Sequence, residues 1–484
     1  MITRRRFLEE SMIATAVAAA ASNPRSMRAE ETGKASANDT IRHAVIGCRI
    51  RGRVHAREFA GQKGVEVTYV CDPDRTLAEE RAAGVEEQQG RRPKAVQDLR
   101  TIFDDKSIDT VSIATPNHWH ALAAVWAMQA GKDVYVEKPV SHNVVEGRRM
   151  VQAAEATGRL CQTGTQRRSS GPLVAAAKFI RQGKLGDVKF ARSIIYGGRG
   201  SIGARGQYEV PSHIDYNLWL GPAPMTKLTR PQLHYDWHWN WDTGNGELGN
   251  NNIHIIDACR MLMGLTGLGR TVISIGGRLG YEDAGETPNT QIVAHDFDGA
   301  TIVQEVRGLK SDPFSKQFKA GWIVHGTEGF VAEESLFDGD GKLVQTFKGQ
   351  SENHFANFIK AVRGGRREVL NADIVEGHQS TSLCHLGNIS YRVGRPLAVD
   401  KITASLEQQP LHDEVLRTFE RMVAHLRSRG VDLDRTRLTL GDLLRIDDES
   451  ESFNNHVKAN MLLARSYRKP FELPKVGDFK RADS

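Results

Sequence analysis

From Ile41 onward the chain alternates short apolar runs with stretches whose apolar residues recur at helical spacing. Ile41–Gly47 starts as an alternating strand and turns wholly apolar before its glycine. Arg53–Ala60 then reads as a helix, and Val65–Cys71 as a second strand ending at Asp72. A polar helical segment, Leu77–Gln89, leads to a short strand at Ala95–Leu99. The apolar run Thr110–Thr115 follows and ends in Pro116, Asn117 and His118. A helix over Ala121–Ala130 feeds Val134-Tyr135-Val136-Glu137-Lys138-Pro139. The start of that run is β-branched or aromatic, which suits a parallel strand covered on both faces, and Pro139 stops the ladder. Strand and helix alternating at this spacing predict a doubly wound α/β fold. Right-handed crossovers would bring Thr115, Asn117, His118 and Lys138 to one carboxyl edge, where open α/β sheets bind ligands.

Further along, strand patterns dominate: Val188–Tyr196, Arg270–Gly276, Gln291–Phe297, Thr301–Val306 and Trp322–Gly326. Helical spacing returns at Leu173–Gln182 and His354–Gly364, and again around Gly377–His385. Together they predict a C-terminal α+β domain built on a large open, mainly antiparallel sheet. Trp237, Trp239 and Trp241 alternate with polar residues, a pattern shared by a buried strand face and by aromatic surfaces that stack on sugar rings. Gly244–Asp257 runs into a helix ending near Gly264, and His254 and Asp257, three apart, share a face of its first turn. Asp257 there is either a capping residue or a carboxylate that orients His254 for proton transfer. The expected organisation is 1–39 as signal and linker, 40–165 and 166–400 as the two domains, and 401–484 as a charged helical extension.

Composition narrows the possible chemistry. The 484 residues suffice for two or three domains, and 39% apolar content without a long apolar run gives no stable membrane insertion. A formal charge of +6 partly reflects an arginine-rich start, and no basic run with interleaved aromatics points to nucleic acid. The five cysteines are odd in number and far apart, so neither a metal site nor a disulfide framework is expected. Thr3-Arg4-Arg5-Arg6-Phe7-Leu8 before a short alanine-rich run is a twin-arginine export pattern, with Ala19 and Ala21 as small residues for cleavage. Such export carries folded proteins, so an exported enzyme that needs a nicotinamide cofactor would fold around it in the cytoplasm and act in the periplasm.

The first strand–helix–strand unit carries Gly47-Cys48-Arg49-Ile50-Arg51-Gly52, a phosphate-binding glycine loop with arginine at the middle glycine position. Arg49 either projects outward toward the phosphates or obstructs the site. Asp72 stands 20 positions after Gly52, where a carboxylate bonds a ribose 2′-hydroxyl and repels a 2′-phosphate. NAD is therefore expected, with NADP disfavoured. Gly47, Arg49, Ile50, Arg51, Gly52 and Asp72 form the expected cofactor set, joined by Thr115, Asn117, His118, Glu137 and Lys138.

A strand ending in Ala114-Thr115-Pro116-Asn117 with His120 beyond it, followed by a strand ending in Glu137-Lys138-Pro139, resembles the glucose–fructose oxidoreductase / inositol dehydrogenase / MocA (Gfo/Idh/MocA) family. The likeness runs from about Ile41 to Asp400. It is closest to a bacterial subgroup with exported members through Asn117-His118-Trp119-His120, Gly164-Thr165-Gln166-Arg167-Arg168 and Trp219-Leu220-Gly221-Pro222-Ala223-Pro224. The resemblance implies a Rossmann-type domain and makes Lys138 the catalytic lysine beside nicotinamide and substrate hydroxyl. It implies His254 as the base. The family's aspartate four residues before that histidine is here Asn250, which hydrogen-bonds but carries no charge. Catalytic roles are thus expected for Lys138, His254, Asn250 and Asp257, and substrate contacts for Arg167, Trp237, Trp239 and Trp241. The expected activity is hydride transfer between a tightly held NAD(H) and a sugar, polyol or glycoside hydroxyl, in a homo-oligomer, dimer or tetramer. Glycoside cleavage through transient oxidation and elimination is the second reading, and a catalytically inactive sugar-binding homologue the third.

Overall fold

The computed structural model describes residues 40–316 and 318–479. The export signal and linker assigned to 1–39 lie outside the described residues.

Six parallel strands open the fold: β1 (Ile41–Ile46), β2 (Val65–Cys71), β3 (Lys94–Val96), β4 (Thr110–Ile113), β5 (Asp133–Val136) and β6 (Cys161–Thr163). They are ordered β3-β2-β1-β4-β5-β6, so the chain reverses direction across the sheet between β1 and β4. Both faces are covered. Helices Ile50–Ala60 and His354–Gly364 pack one side through Phe59, Phe355 and Phe358, and helices His120–Gln129 and Val144–Thr157 pack the other. Local chemistry fixes the helix ends. Asp74 accepts from the amides of Thr76 (3.0 Å) and Leu77 (3.3 Å), and Asn143 accepts from Glu146 (2.9 Å).

Twelve further strands complete a second sheet: β7 (Val188–Tyr196), β8 (Thr271–Gly277), β9 (Thr290–Phe297), β10 (Ala300–Arg307), β11 (Gly321–Gly326), β12 (Gly329–Ala332), β13 (Ser335–Phe337), β14 (Leu343–Thr346), β15 (Arg395–Leu397), β16 (Leu438–Leu440), β17 (Leu444–Asp447) and β18 (Ser452–Phe453). Their path is β14-β13-β12-β11-β7-β10-β9-β8-β16-β15, with β17 on β8 and β18 on β17. β7 and β10 pair parallel, while the other pairings are antiparallel.

Helices Ile253–Met263 and Ile374–Val393 lie on one face of this sheet. The sheet is open, running from edge strand β14 to edge strand β15, and its other face is covered too. Ile273, Ile292 and Val303 point there and are covered by Phe419, Met422 and Leu426 of the helix Asp413–Ser428. Burying those branched side chains is what holds the helix in place. The reading of 401–484 as a helical extension is corrected: Thr439 and Leu440 of β16 pair with Gly276 and Ile275 of β8. The tail then returns to the first sheet, where Phe471 packs edge-on to Trp119 with ring centroids 5.5 Å apart.

Candidate active site

The glycine loop leaves β1 at Gly47, whose φ of +87° favours glycine; a Cβ there would lie 2.6 Å from the Ala114 carbonyl carbon. A Cβ on Gly52 would stand 1.7 Å from the Gly47 carbonyl oxygen, so helix Ile50–Ala60 can start against the loop only as glycine. Arg49 is exposed at the helix start, with its charge within electrostatic reach of Asp72. Asp72 is buried at the end of β2 and accepts from the amides of Cys48 (2.7 Å) and Asp74 (2.9 Å). Burial pushes its carboxyl up to about 6 against those two bonds. Each oxygen keeps lone-pair capacity for a ribose hydroxyl. Along the same edge, the hydroxyls of Thr115 and Thr165 and the Asn117 amide oxygen are buried without a protein partner. A loop a Cβ would fill, an acid at the strand end and orphaned polar atoms along the cleft fit a dinucleotide.

Three residues expected at the cofactor serve otherwise. His118 places its ring nitrogens against the carbonyls of Trp219 (3.0 Å) and Thr243 (3.3 Å), and burial brings its pKa down to about 3. As a neutral ring His118 has one N–H to donate to these carbonyls, so it faces loops of the second domain rather than the cofactor edge. Glu137 is 3% exposed and bonds Arg51 Nη2 (2.6 Å), His55 Nε2 (3.0 Å) and Gln166 Nε2 (3.2 Å). Arg51 therefore faces this carboxylate, and both serve as a charged base for the catalytic edge.

Lys138 follows immediately, half-buried, and its Nζ donates to the Asn250 carbonyl oxygen (2.6 Å). Burial lowers its pKa below the ordinary lysine value, while Glu137 and Glu247 pull the other way. That carbonyl is presented by a π-helical turn, Leu248–Asn252, at the head of helix Ile253–Met263. Such turns widen a helix at one point and recur at functional sites. One turn on, His254 is pushed well below the usual histidine range by burial, with the charges of Lys138 and Arg167 adding to the effect. It is neutral at physiological pH, the form a base needs. Arg167 lies over the Trp322 ring at 4.7 Å, on the His254 side of the cluster.

Glu247 escapes sequence reasoning. It is 3% exposed, pairs with Arg199 (3.0 Å), and accepts from the side-chain amides of Asn250 (3.3 Å) and Asn251. A carboxylate thus sits where Asn250 carries none, one turn earlier on the chain. Arg199 also donates to the Tyr235 hydroxyl (3.0 Å). Tyr235 holds φ at +67°, a region non-glycine residues rarely occupy and one that clusters at binding sites. His238 bonds the Tyr235 carbonyl and lies within electrostatic reach of Lys138 and Arg199. The only sequence signal was the polar–aromatic density of 235–242.

The other sequence candidates divide. Asp257 does not pair with His254: its oxygens take Arg168 Nε (3.0 Å each) and Ser380 Oγ (2.7 Å), a buried network that joins helix Ile253–Met263 to helix Ile374–Val393. Its catalytic reading is corrected, because Arg168 is the stronger partner for a buried carboxylate. The tryptophans form no strand face, since Asp236–Trp239 is a 3₁₀ turn. Trp239 is 5% exposed against Ile202 and Ala284, too enclosed to stack on a sugar. Trp237 stacks on His238 with centroids 3.6 Å apart, and Trp241 belongs to a different cavity. Among the described residues no cluster of metal ligands occurs.

Geometry and topology together define a nucleotide-binding oxidoreductase: a parallel sheet with a glycine loop and a lysine at one strand end, met there by a histidine and a carboxylate from the second domain. Two family models match, an oxidoreductase family NAD-binding Rossmann fold over residues 41–165 and the family's C-terminal α/β domain over 190–426. The chain belongs to the Gfo/Idh/MocA oxidoreductase family. Among characterised relatives, a glycosyl hydrolase family 109 protein of Shewanella putrefaciens is 30% identical over 154 residues, 31% of this chain. The chain spans only about a third, 34%, of that relative's length. A levoglucosan dehydrogenase of Pseudarthrobacter phenanthrenivorans is 25% identical over 307 residues, 59% of this chain and 72% of that protein. The fold matches a levoglucosan dehydrogenase in complex with NADH and L-sorbose (TM-score 0.52, 20% identity, 72% of this chain and 95% of that one). It also matches the WlbA dehydrogenase of Bordetella pertussis in complex with NADH and UDP-GlcNAcA (TM-score 0.54, 20% identity, 73% and 97%).

Proposed function

We propose that the protein transfers hydride between a nicotinamide dinucleotide, NAD in preference to NADP, and a ring carbinol carbon of a sugar, polyol or glycoside. The observation that carries this reading is the convergence of Lys138, His254 and Glu247 on one carboxyl edge of the parallel sheet. The glycine loop and Asp72 would hold the dinucleotide, whose nicotinamide supplies the hydride acceptor or donor. Neutral His254 takes the hydroxyl proton. Cationic Lys138 stabilises the negative charge that develops on the carbinol oxygen. Glu247, fixed by Arg199, restores the negative charge that Asn250 lacks and keeps Lys138 protonated. Asp72 supports NAD because a 2′-phosphate would meet a buried carboxylate.

Redox-neutral glycoside cleavage is the second reading, favoured by the likeness to the glycosyl hydrolase family 109 protein. A ketone formed by oxidation acidifies the neighbouring ring C–H. A base then removes that proton, the glycosidic substituent leaves with a proton as its alcohol, water adds across the double bond so formed, and reduction of the ketone restores the carbinol. An inactive sugar-binding homologue stays the third reading, and dinucleotide binding by the purified protein decides against it.

Export through the twin-arginine route to the periplasm belongs to the same proposal, supported by Thr3–Leu8 and by five free, buried cysteines. So does a homo-oligomer, supported by strand β14, which exposes Leu343 and Val344 along a sheet edge.

The test is to incubate NAD-loaded protein with a panel of sugars and glycosides and weigh the products. Net oxidation and bond cleavage give different masses. A protein that binds no dinucleotide at millimolar concentration, or a Lys138→Ala variant with full turnover, would end this reading.

A further inference from the structure

None of the residues lining a cavity of about 250 Å³ belongs to the Lys138 cluster. Its walls come from five parts of the chain: Asn143 at the start of helix Val144–Thr157, Pro224, the Trp241–Asn245 loop, His385 and Arg392 of helix Ile374–Val393, and Arg465 of the tail. The Arg465 wall lies beyond the residues that the family models match, so the chain's extension completes this cavity.

Two lining atoms wait for a partner. Asn143 spends its side-chain oxygen on the Glu146 amide, leaving Nδ2 without one, and Nδ1 of His385 has none either. Their residues are 5% and 2% exposed. Buried groups of this kind are seldom left unsatisfied, because each then forfeits its hydration with nothing in return. Charge points the same way. Arg392 lies over the Trp241 ring at 5.1 Å and makes no ion pair among the described residues, though the charges of Asp242 and Glu286 reach it. Arg465 donates to the Asp242 carbonyl (3.0 Å) and toward His142 (3.4 Å), with the buried Glu146 carboxylate in electrostatic reach. Within the wall itself Asp242 is the one acidic side chain, against two guanidinium groups with no ion-pair partner. The volume falls below the roughly 300–1,000 Å³ of sites for larger ligands.

We propose that this cavity binds a small organic oxyanion, no larger than a monosaccharide, whose carboxylate or phosphate is held by Arg392, Arg465 and the Asn143 amide. The apolar walls of Trp241, Ile389 and Leu462 accept its carbon frame.

The experiment is calorimetric titration of the NAD-saturated full chain, so that the dinucleotide phosphate site is already filled. The probes are inorganic phosphate, glucuronate and glucose. Saturable binding of glucuronate identifies a carboxylate ligand, and binding of phosphate alone identifies a phosphate ligand. Either result supports the site unless loss of the wall arginines weakens glucose binding as much. Arg392→Gln and Arg465→Gln should each weaken the bound anion about tenfold or more, the loss of one charge-assisted bond. Arg392 is exposed, so its variant keeps the test open if Arg465→Gln fails to fold. Lys138→Ala should leave the anion's affinity unchanged, which separates this site from hydride transfer. Glucose binding that both arginine variants weaken as much as glucuronate binding, no anion binding at millimolar concentration, or unchanged anion affinity in both arginine variants would overturn the proposal.

Discussion

Replacing Glu247 by glutamine removes one charge and almost no volume, so it isolates what that carboxylate does. Lys138 has its pKa lowered by burial and raised first by Glu137 and then by Glu247. Loss of the Glu247 charge therefore lowers the Lys138 pKa further. If cationic Lys138 stabilises the developing oxyanion, rate is lost as pH rises through its pKa. The alkaline limb of kcat/KM should then move toward lower pH in Glu247→Gln. The variant also strands Arg199, which is 18% exposed and loses its ionic partner. Breaking a buried pair costs about 3–5 kcal/mol, less here because Gln still offers an oxygen and Arg199 keeps Tyr235. Initial rates of nicotinamide reduction across pH, on a panel sugar that turns over, measure the first effect, and thermal unfolding measures the second. A merely structural glutamate predicts a lower Tm with an unmoved alkaline limb. An unmoved limb in a folded variant would refute the charge-restoring role.

Three further outcomes follow from the same geometry. Lys138→Ala should lower kcat by about 10²–10⁴-fold with dinucleotide affinity retained, read by steady-state kinetics alongside equilibrium cofactor titration. Gly52→Ala should abolish dinucleotide binding or folding of the first domain, because its Cβ would meet the Gly47 carbonyl oxygen at 1.7 Å; a variant that binds NAD normally contradicts the packing argument. Asp257→Asn should destabilise by less than the about 3–5 kcal/mol of a broken buried pair, because Arg168 keeps Glu376 (3.0 Å), yet leave the pH profile of the surviving activity in place, as thermal unfolding and kinetics would show.

Much of this fold was legible because its signals are local. The strands of the first sheet read as apolar runs ending in glycine, acid or proline, since parallel strands buried on both faces need no polar alternation. Lys138 was legible for the same reason: the residues that place it are its immediate neighbours in the chain. The covered face of the second sheet was harder to see. Its cover comes from Asp413–Ser428, more than a hundred residues after the strands it protects, and the strands that fasten it, β16 to β18, are two to four residues long. The tryptophans misled because period two fits a strand only when another strand lies beside it; here the chain turns tightly through Asp236–Trp239 instead.

The catalytic carboxylate shows most clearly where reading by position stops. Aligned by position, Asn250 reads as a lost charge. In space, the π-helical turn over Leu248–Asn252 lets Glu247 reach the Asn250 side chain, while the Asn250 carbonyl takes Lys138. Glu247 needs Arg199, 48 residues away, to be held in a buried setting, and Arg199 needs Tyr235 in an unfavourable backbone conformation. No single member of that set marks itself in the sequence, because each is stabilised only by the others. Asn250 carries no charge of its own, but its side-chain amide donates to the Glu247 carboxylate and so holds a negative charge beside the Lys138 contact.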